Sequence, residues 1–229
     1  MKIARLLKAY YIIGILLLLG EGLDISFLRL SGRLLILPLL FFIYLRSAQK
    51  VNYVIIAIFV IYFTGGISNF FDQALTLKYT LLVYGAGHIL MGALCFQLIN
   101  EKSTQRLLLY AIPVISLWAV YYDLYLDETF GDTLGSLYPI ILGYSIILGL
   151  FNILANVSFF NSGSYLTMYL VIISVSLLVG DIMMCLYIFV DSLNLFKVIN
   201  EATHLVSYLF LLRFALNYSG FKLKSKYLP

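Results

Sequence analysis

Charge is what this chain has least of. Only 11% of its 229 residues are Asp, Glu, Lys or Arg, where a soluble domain carries about 25%. That deficit excludes an ordinary water-soluble globule. Cysteine is scarce as well, with only Cys95 and Cys185. They fall at different expected depths in the membrane, which argues against a disulfide, and both read as packed thiols. Histidine is limited to His88 and His204. Neither H-x-x-x-H nor H-E-x-x-H occurs, so even with Asp181 nearby no metal-ligand spacing is present. No metal or other cofactor is expected. No lysine falls mid-span, which excludes a retinal Schiff base. No low-complexity linker divides the chain, so residues 1–229 read as one domain.

What is there is apolar. Hydrophobic residues make up 62% of the chain, and the mean hydropathy is +0.99. A membrane-crossing helix needs roughly 20 mostly apolar residues. Eight such stretches are expected, at about 6–23, 32–46, 53–71, 79–99, 107–123, 138–158, 164–190 and 195–217. Within a bilayer each backbone must satisfy its own polar groups, which dictates helices. The expected fold class is therefore all-α, a polytopic bundle of eight transmembrane helices. Lys2, Arg5 and Lys8 precede the first apolar stretch as they would in a signal peptide. No small-residue cleavage site follows, so a retained first span is expected.

The basic residues set the orientation. With both termini in the cytoplasm, inner segments hold Lys2, Arg5, Lys8, Arg46, Lys50, Lys102, Arg106, Arg213, Lys222, Lys224 and Lys226. The outer side keeps Arg29, Arg33, Lys78 and Lys197. This asymmetry follows the positive-inside rule. The net charge of +4 thus reflects topology and anionic inner-leaflet lipid rather than nucleic acid. Short loops and the lack of an evident targeting segment point to a bacterial inner membrane. Tyr44, Tyr53, Tyr79, Tyr122, Tyr138, Tyr218 and Tyr227 lie near span ends, where amphipathic rings anchor at the interface.

Against this background Asp181 stands out. It is the one charged side chain in the run 165–190. A carboxylate is costly inside a membrane and tends to face a partner or a polar cavity. Other polar residues recur at helical spacing, which places them on shared faces. They are Gly65, Ser68, Asn69 and Asp72; Gly85, His88 and Gly92; Ser145, Gly149, Asn152 and Asn156; Ser174, Asp181 and Cys185; and Glu201, His204 and Tyr208. Helix packing explains such faces in part, most readily for the asparagines. Depth adds a second reading. Glu21, Asp24, Arg33, Asn69, Asp72, Asp181, Glu201 and His204 all fall toward the outer leaflet. A polar cavity on that side is expected.

The order of motifs resembles the YhhN-like, or lysoplasmalogenase, family of eight-span membrane proteins. That family's second span often opens K-P-L-L-x-P-L-L, and here Arg33 to Leu40 reads RLLILPLL. Its seventh span carries an aspartate after Gly or Ser, and LLVGDIMMCLYIF places Gly180 and Asp181 there. The run YSIILGLFNILANVSF from Tyr144 is similar to its Tyr-led sixth span. Two departures stand out. The family's third span carries a Gly-Asp pair, where this chain reads FTGGISNFFDQ with Asp72 one turn further on. The family's fourth-span His position holds Ala93, and His88 lies about one turn earlier.

The resemblance implies hydrolysis of the vinyl ether bond of a lysoplasmalogen. Enol ether hydrolysis protonates the β-carbon and leaves an oxocarbenium ion. It needs a carboxylic acid that keeps its proton near neutral pH and a second carboxylate to stabilise the cation and activate water, as in glycoside hydrolysis. Asp181 is the expected acid. Asp72 is the expected second carboxylate, with Glu201 behind it. Arg33 is expected to clamp the lipid phosphate, so Arg33→Ala would raise KM. Asn69, His88, Glu201 and His204 complete the expected substrate-binding set. Two further readings compete: a non-catalytic protein that binds or moves a lipid or small amphiphile, which the missing Gly-Asp pair favours, and a proton-coupled carrier, for which no inverted repeat or broken helix pair is seen.

Overall fold

The computed structural model describes residues 3–68, 73–99, 117, 120–121, 124–125, 128 and 135–227. Among them the chain forms seven α-helices. These are α1 (Ile3–Gly22), α2 (Ser26–Ser47), α3 (Tyr53–Ser68), α4 (Gln73–Gln97), α5 (Tyr138–Ser162), α6 (Tyr165–Phe189) and α7 (Asn194–Tyr227), with a 3-10 turn, Gly135–Leu137, before α5. Six of them are long and apolar enough to cross a membrane, and the apolar stretch of α3, Tyr53–Ile67, is shorter. The chain is an integral membrane helical protein. The expected span at 107–123 lies outside the described residues apart from isolated positions.

Local chemistry sets the helix ends. Asn52 Oδ1 accepts from Val54 N at 2.9 Å just before α3 begins, a side-chain cap on an otherwise unpaired donor. Pro139 sits in the first turn of α5, where its missing N–H costs nothing. Gly163 ends α5 in the left-handed region, with φ 55, and its N–H reaches Phe159 O at 2.7 Å. Ser164 then caps α6 by accepting from Thr167 N. The second helix begins at Ser26, earlier than the apolar run alone implies. Arg29 is paired with Asp24 at 2.8 Å, and Ser31 Oγ donates back to Phe27 O at 2.7 Å. Polar residues in this turn are satisfied locally and do not stop the helix.

The helices close into a ring in which each neighbours the next and α7 returns to α1, with α2 also touching α7. Named contacts give the directions. Gly32 meets Leu17, Gly65 meets Tyr84, Asn152 meets Ser174 and Tyr169 meets Phe210, so these successive pairs are antiparallel. Gly14 meets Leu205 and Gly22 meets Val198, so α1 and α7 are antiparallel as well. The start of α1 and the end of α7 therefore lie at one end of the bundle. The exception is α4 with α5. Gly85 faces Tyr144, and Gly92 faces Leu154 further along both helices, so this pair is parallel.

In lipid, close packing does much of what the hydrophobic effect does in water. A Cβ added at Gly180 would lie 2.6 Å from Thr203 Oγ1 and 3.2 Å from Asn200 Oδ1. The α6–α7 crossing therefore has room only for hydrogen at that position. Gly180→Ala is expected to lose about 1–3 kcal/mol through overpacking, read as a lower unfolding midpoint in detergent.

Two expectations need correction. Tyr44 and Tyr218 are not interface anchors but core residues, 0% and 1% exposed. Each ring packs inside, and each hydroxyl ties an inner loop or helix end: Tyr44 accepts from Asn52 N at 2.8 Å, and Tyr218 donates to Gln97 Oε1 at 3.2 Å. Tyr53 and Tyr79 do face outward. Cys95 is buried as expected, but Cys185 is exposed on α6. Both thiols are free.

Candidate functional site

A cavity of about 110 Å³ lies inside the ring, toward the end where α1 joins α2. All seven described helices contribute to its wall. Its polar lining is Arg33, Thr80, Tyr84, Tyr144, Asp181, Asn200, Glu201, His204 and Tyr208, set among Leu17, Ile36, Leu37, Leu77, Leu81, Met184 and Leu205.

Asp181 reaches this cavity from α6. Gly180 beside it allows α6 and α7 to approach, and one face of α6 then turns inward. Tyr144 of α5 donates its hydroxyl to Asp181 Oδ2 at 2.6 Å. That bond holds one oxygen of the carboxyl group of a residue that lines the cavity. The antiparallel α5–α6 pairing carries a second polar contact deeper in, where Asn152 Nδ2 donates to Ser174 Oγ at 3.3 Å. Asn156 Nδ2 donates to Asn152 O at 2.8 Å. Asn152 thus ties α5 to α6, as expected for that face, while the Asn156 bond stays within α5.

On the opposite wall Arg33 holds two carboxylates at once. Its Nη2 donates to Glu21 Oε1 at 2.8 Å and also to Glu201 Oε1. Glu21 is 1% exposed, so its charge is compensated by protein rather than water. The triad joins α1, α2 and α7. Both contacts use the same nitrogen, Nη2, so the guanidinium expected to clamp a phosphate already holds two carboxylates.

One turn along α7 from Glu201, the His204 ring stacks on Tyr84, with centroids 6.1 Å apart and planes at 26°. It also lies against Tyr208 at 5.8 Å. The Tyr84 and Tyr208 side chains interact through their hydroxyls. Asp181 and His204 lie within electrostatic reach of each other. The face Glu201, His204, Tyr208 read from helical spacing therefore does line the cavity.

His88 does not. It is 1% exposed and enclosed by rings: Tyr144 at 5.4 Å, Phe151 at 5.9 Å in parallel, and Tyr62 at 5.9 Å. It sits behind Tyr144, in the α4–α5 seam, outside the cavity lining. Asn69 and Asp72 lie in segment 69–72, outside the described residues. Among the described residues no three His, Cys, Asp or Glu side chains are gathered to hold a metal ion.

The structure thus brings together Asp181, Arg33, Glu201 and His204. It adds Tyr144, Asn200 and Glu21, whose roles helical spacing alone could not reveal, since each depends on which helix lies opposite. Comparisons with protein-family models, with curated proteins and with solved structures each find no match for this chain.

Proposed function

We propose that this chain is an integral-membrane hydrolase that cleaves the vinyl ether bond of a single-chain, lysoplasmalogen-like membrane lipid, with Asp181 as the acid. The observation that carries this reading is the setting of Asp181, a carboxyl group inside a membrane bundle that faces a cavity with one oxygen held by Tyr144. Enol ether cleavage needs a proton delivered to carbon and then electrostatic support for an oxocarbenium ion. Asp181 supplies the first. Glu201 lines the same cavity and takes the supporting role first given to Asp72. The resemblance to the YhhN-like family agrees with this chemistry.

The topology proposed with it is eight spans with both termini cytoplasmic, in a bacterial inner membrane. Parallel α4 and α5 support the eighth span, because α4 ends and α5 begins at opposite ends of the bundle. The described basic residues at the terminal end of the bundle, Arg5, Lys8, Arg46, Lys50 and Arg213, support the orientation. The cavity then lies in the outer half, where a single-chain lipid can enter sideways.

A second reading, a non-catalytic protein that binds or carries a lipid or small amphiphile, is favoured by two observations. Arg33 is already paired, and the cavity of about 110 Å³ is small beside the roughly 300–1,000 Å³ of typical ligand sites. On the hydrolase reading only the vinyl ether carbons need to enter.

The assay that separates the two readings incubates purified protein in detergent with a lysoplasmalogen and, separately, with its saturated ether analogue. Aldehyde from the vinyl ether lipid alone is the expected result. No aldehyde from a folded protein that retains bound lipid would establish the second reading.

A further inference from the structure

Three side chains lining the cavity each keep a buried polar atom with no hydrogen-bond partner among the described residues. They are Arg33 Nε, Asn200 Oδ1 and His204 Nδ1. Buried polar atoms are nearly always partnered. The first is a donor, the second an acceptor, and the imidazole nitrogen is either, depending on tautomer. A small polar cavity with such mixed partners is a seat for water, which takes two to four of them and occupies roughly 30 Å³. Of the basic groups on this wall, Glu201 is engaged by Arg33. His204 retains a free nitrogen, on a ring whose plane is set by Tyr84 and Tyr208.

We infer that His204 is the general base of the reaction, taking a proton from a water seated at Arg33 Nε and Asn200 Oδ1 while Asp181 acts from the opposite wall. This rests on the hydrolase reading and completes its second half. First, Asp181 gives its proton to the β-carbon. The π electrons form the new C–H bond, and the ether oxygen shares a lone pair with the carbon left positive. Second, the water oxygen bonds to that carbon and its proton passes to His204, giving a hemiacetal. Third, the bond from that carbon to the glycerol oxygen breaks. Protonated His204 supplies the leaving oxygen with a proton, and the Asp181 carboxylate takes the hydroxyl proton as the carbonyl forms. Aldehyde and alcohol leave with Asp181 protonated and His204 neutral, as at the start. No oxidant or reductant is consumed.

The inference separates protonation of carbon from capture of the cation, and the test exploits that separation. His204→Ala and His204→Gln are assayed in heavy water beside the parent, using lysoplasmalogen in detergent. Gln is included because it keeps more of the packing against Tyr84. Aldehyde release by the variants is expected to fall about 100-fold or more. The unreacted lipid recovered from them should gain deuterium at its vinyl β-carbon, because Asp181 still protonates and the uncaptured cation reverts. Added imidazole should restore release in the alanine variant. Release at the parental rate would overturn the role. So would slow release with neither deuterium gain nor imidazole rescue, which marks a structural residue. A parent that releases no aldehyde overturns the hydrolase reading, and the role of His204 with it.

Discussion

Asp181→Asn is expected to fold as the parent does and to release aldehyde about 100- to 10,000-fold more slowly, the range typical of losing a general acid. The asparagine side chain has the shape of the carboxyl group, and its carbonyl oxygen can still accept from the Tyr144 hydroxyl, so the bond now 2.6 Å long survives. What is lost is the transferable proton. An amide cannot deliver one to carbon. The measurement is aldehyde release at saturating lysoplasmalogen, with the unfolding midpoint as the control for folding. Full activity in this variant would remove Asp181 from the chemistry.

Arg33→Met is expected to have the largest effect on stability. The guanidinium is the only cation contacting Glu21 and Glu201 among the described residues, and Glu21 is 1% exposed. Removing one partner of a buried ionic group leaves uncompensated charge, which typically costs about 3–5 kcal/mol. Replacing all three members together, as Arg33→Met with Glu21→Gln and Glu201→Gln, is expected to recover much of that loss, because no unpaired charge remains. Unfolding in detergent, followed by circular dichroism, compares the two. A single variant as stable as the parent but with a raised KM would contradict this account and restore the phosphate clamp read from the sequence.

These two residues show how far the sequence reaches. Asp181 was legible at once, because a lone carboxylate in an apolar run has few benign explanations. The face Glu201, His204, Tyr208 was legible because 3.6-residue periodicity survives from sequence to structure. Convergence of the ionisable groups on one end followed from topology alone. Partners were not legible. That Arg33 is held by Glu21 and Glu201 depends on α1, α2 and α7 meeting, and that Tyr144 reaches Asp181 depends on the register of α5 against α6. Aromatic residues misled in a specific way. Tyr44 and Tyr218 have the positions of interface anchors, yet their hydroxyls find protein partners, so the rings turn inward. His88 sits on a polar face by spacing, but its neighbours are the rings of the α4–α5 seam.

On the proposed function, this protein moves a proton onto carbon inside a membrane cavity. The most direct measurement is the isotopic content of the product. Lysoplasmalogen is hydrolysed in heavy water, and the aldehyde is trapped as it forms, before it can exchange. The account predicts one deuterium on the carbon next to the carbonyl, with the labelled aldehyde formed about 100- to 10,000-fold more slowly when Asp181→Asn replaces the parent. An aldehyde without deuterium at that carbon, or no aldehyde at all, would contradict it.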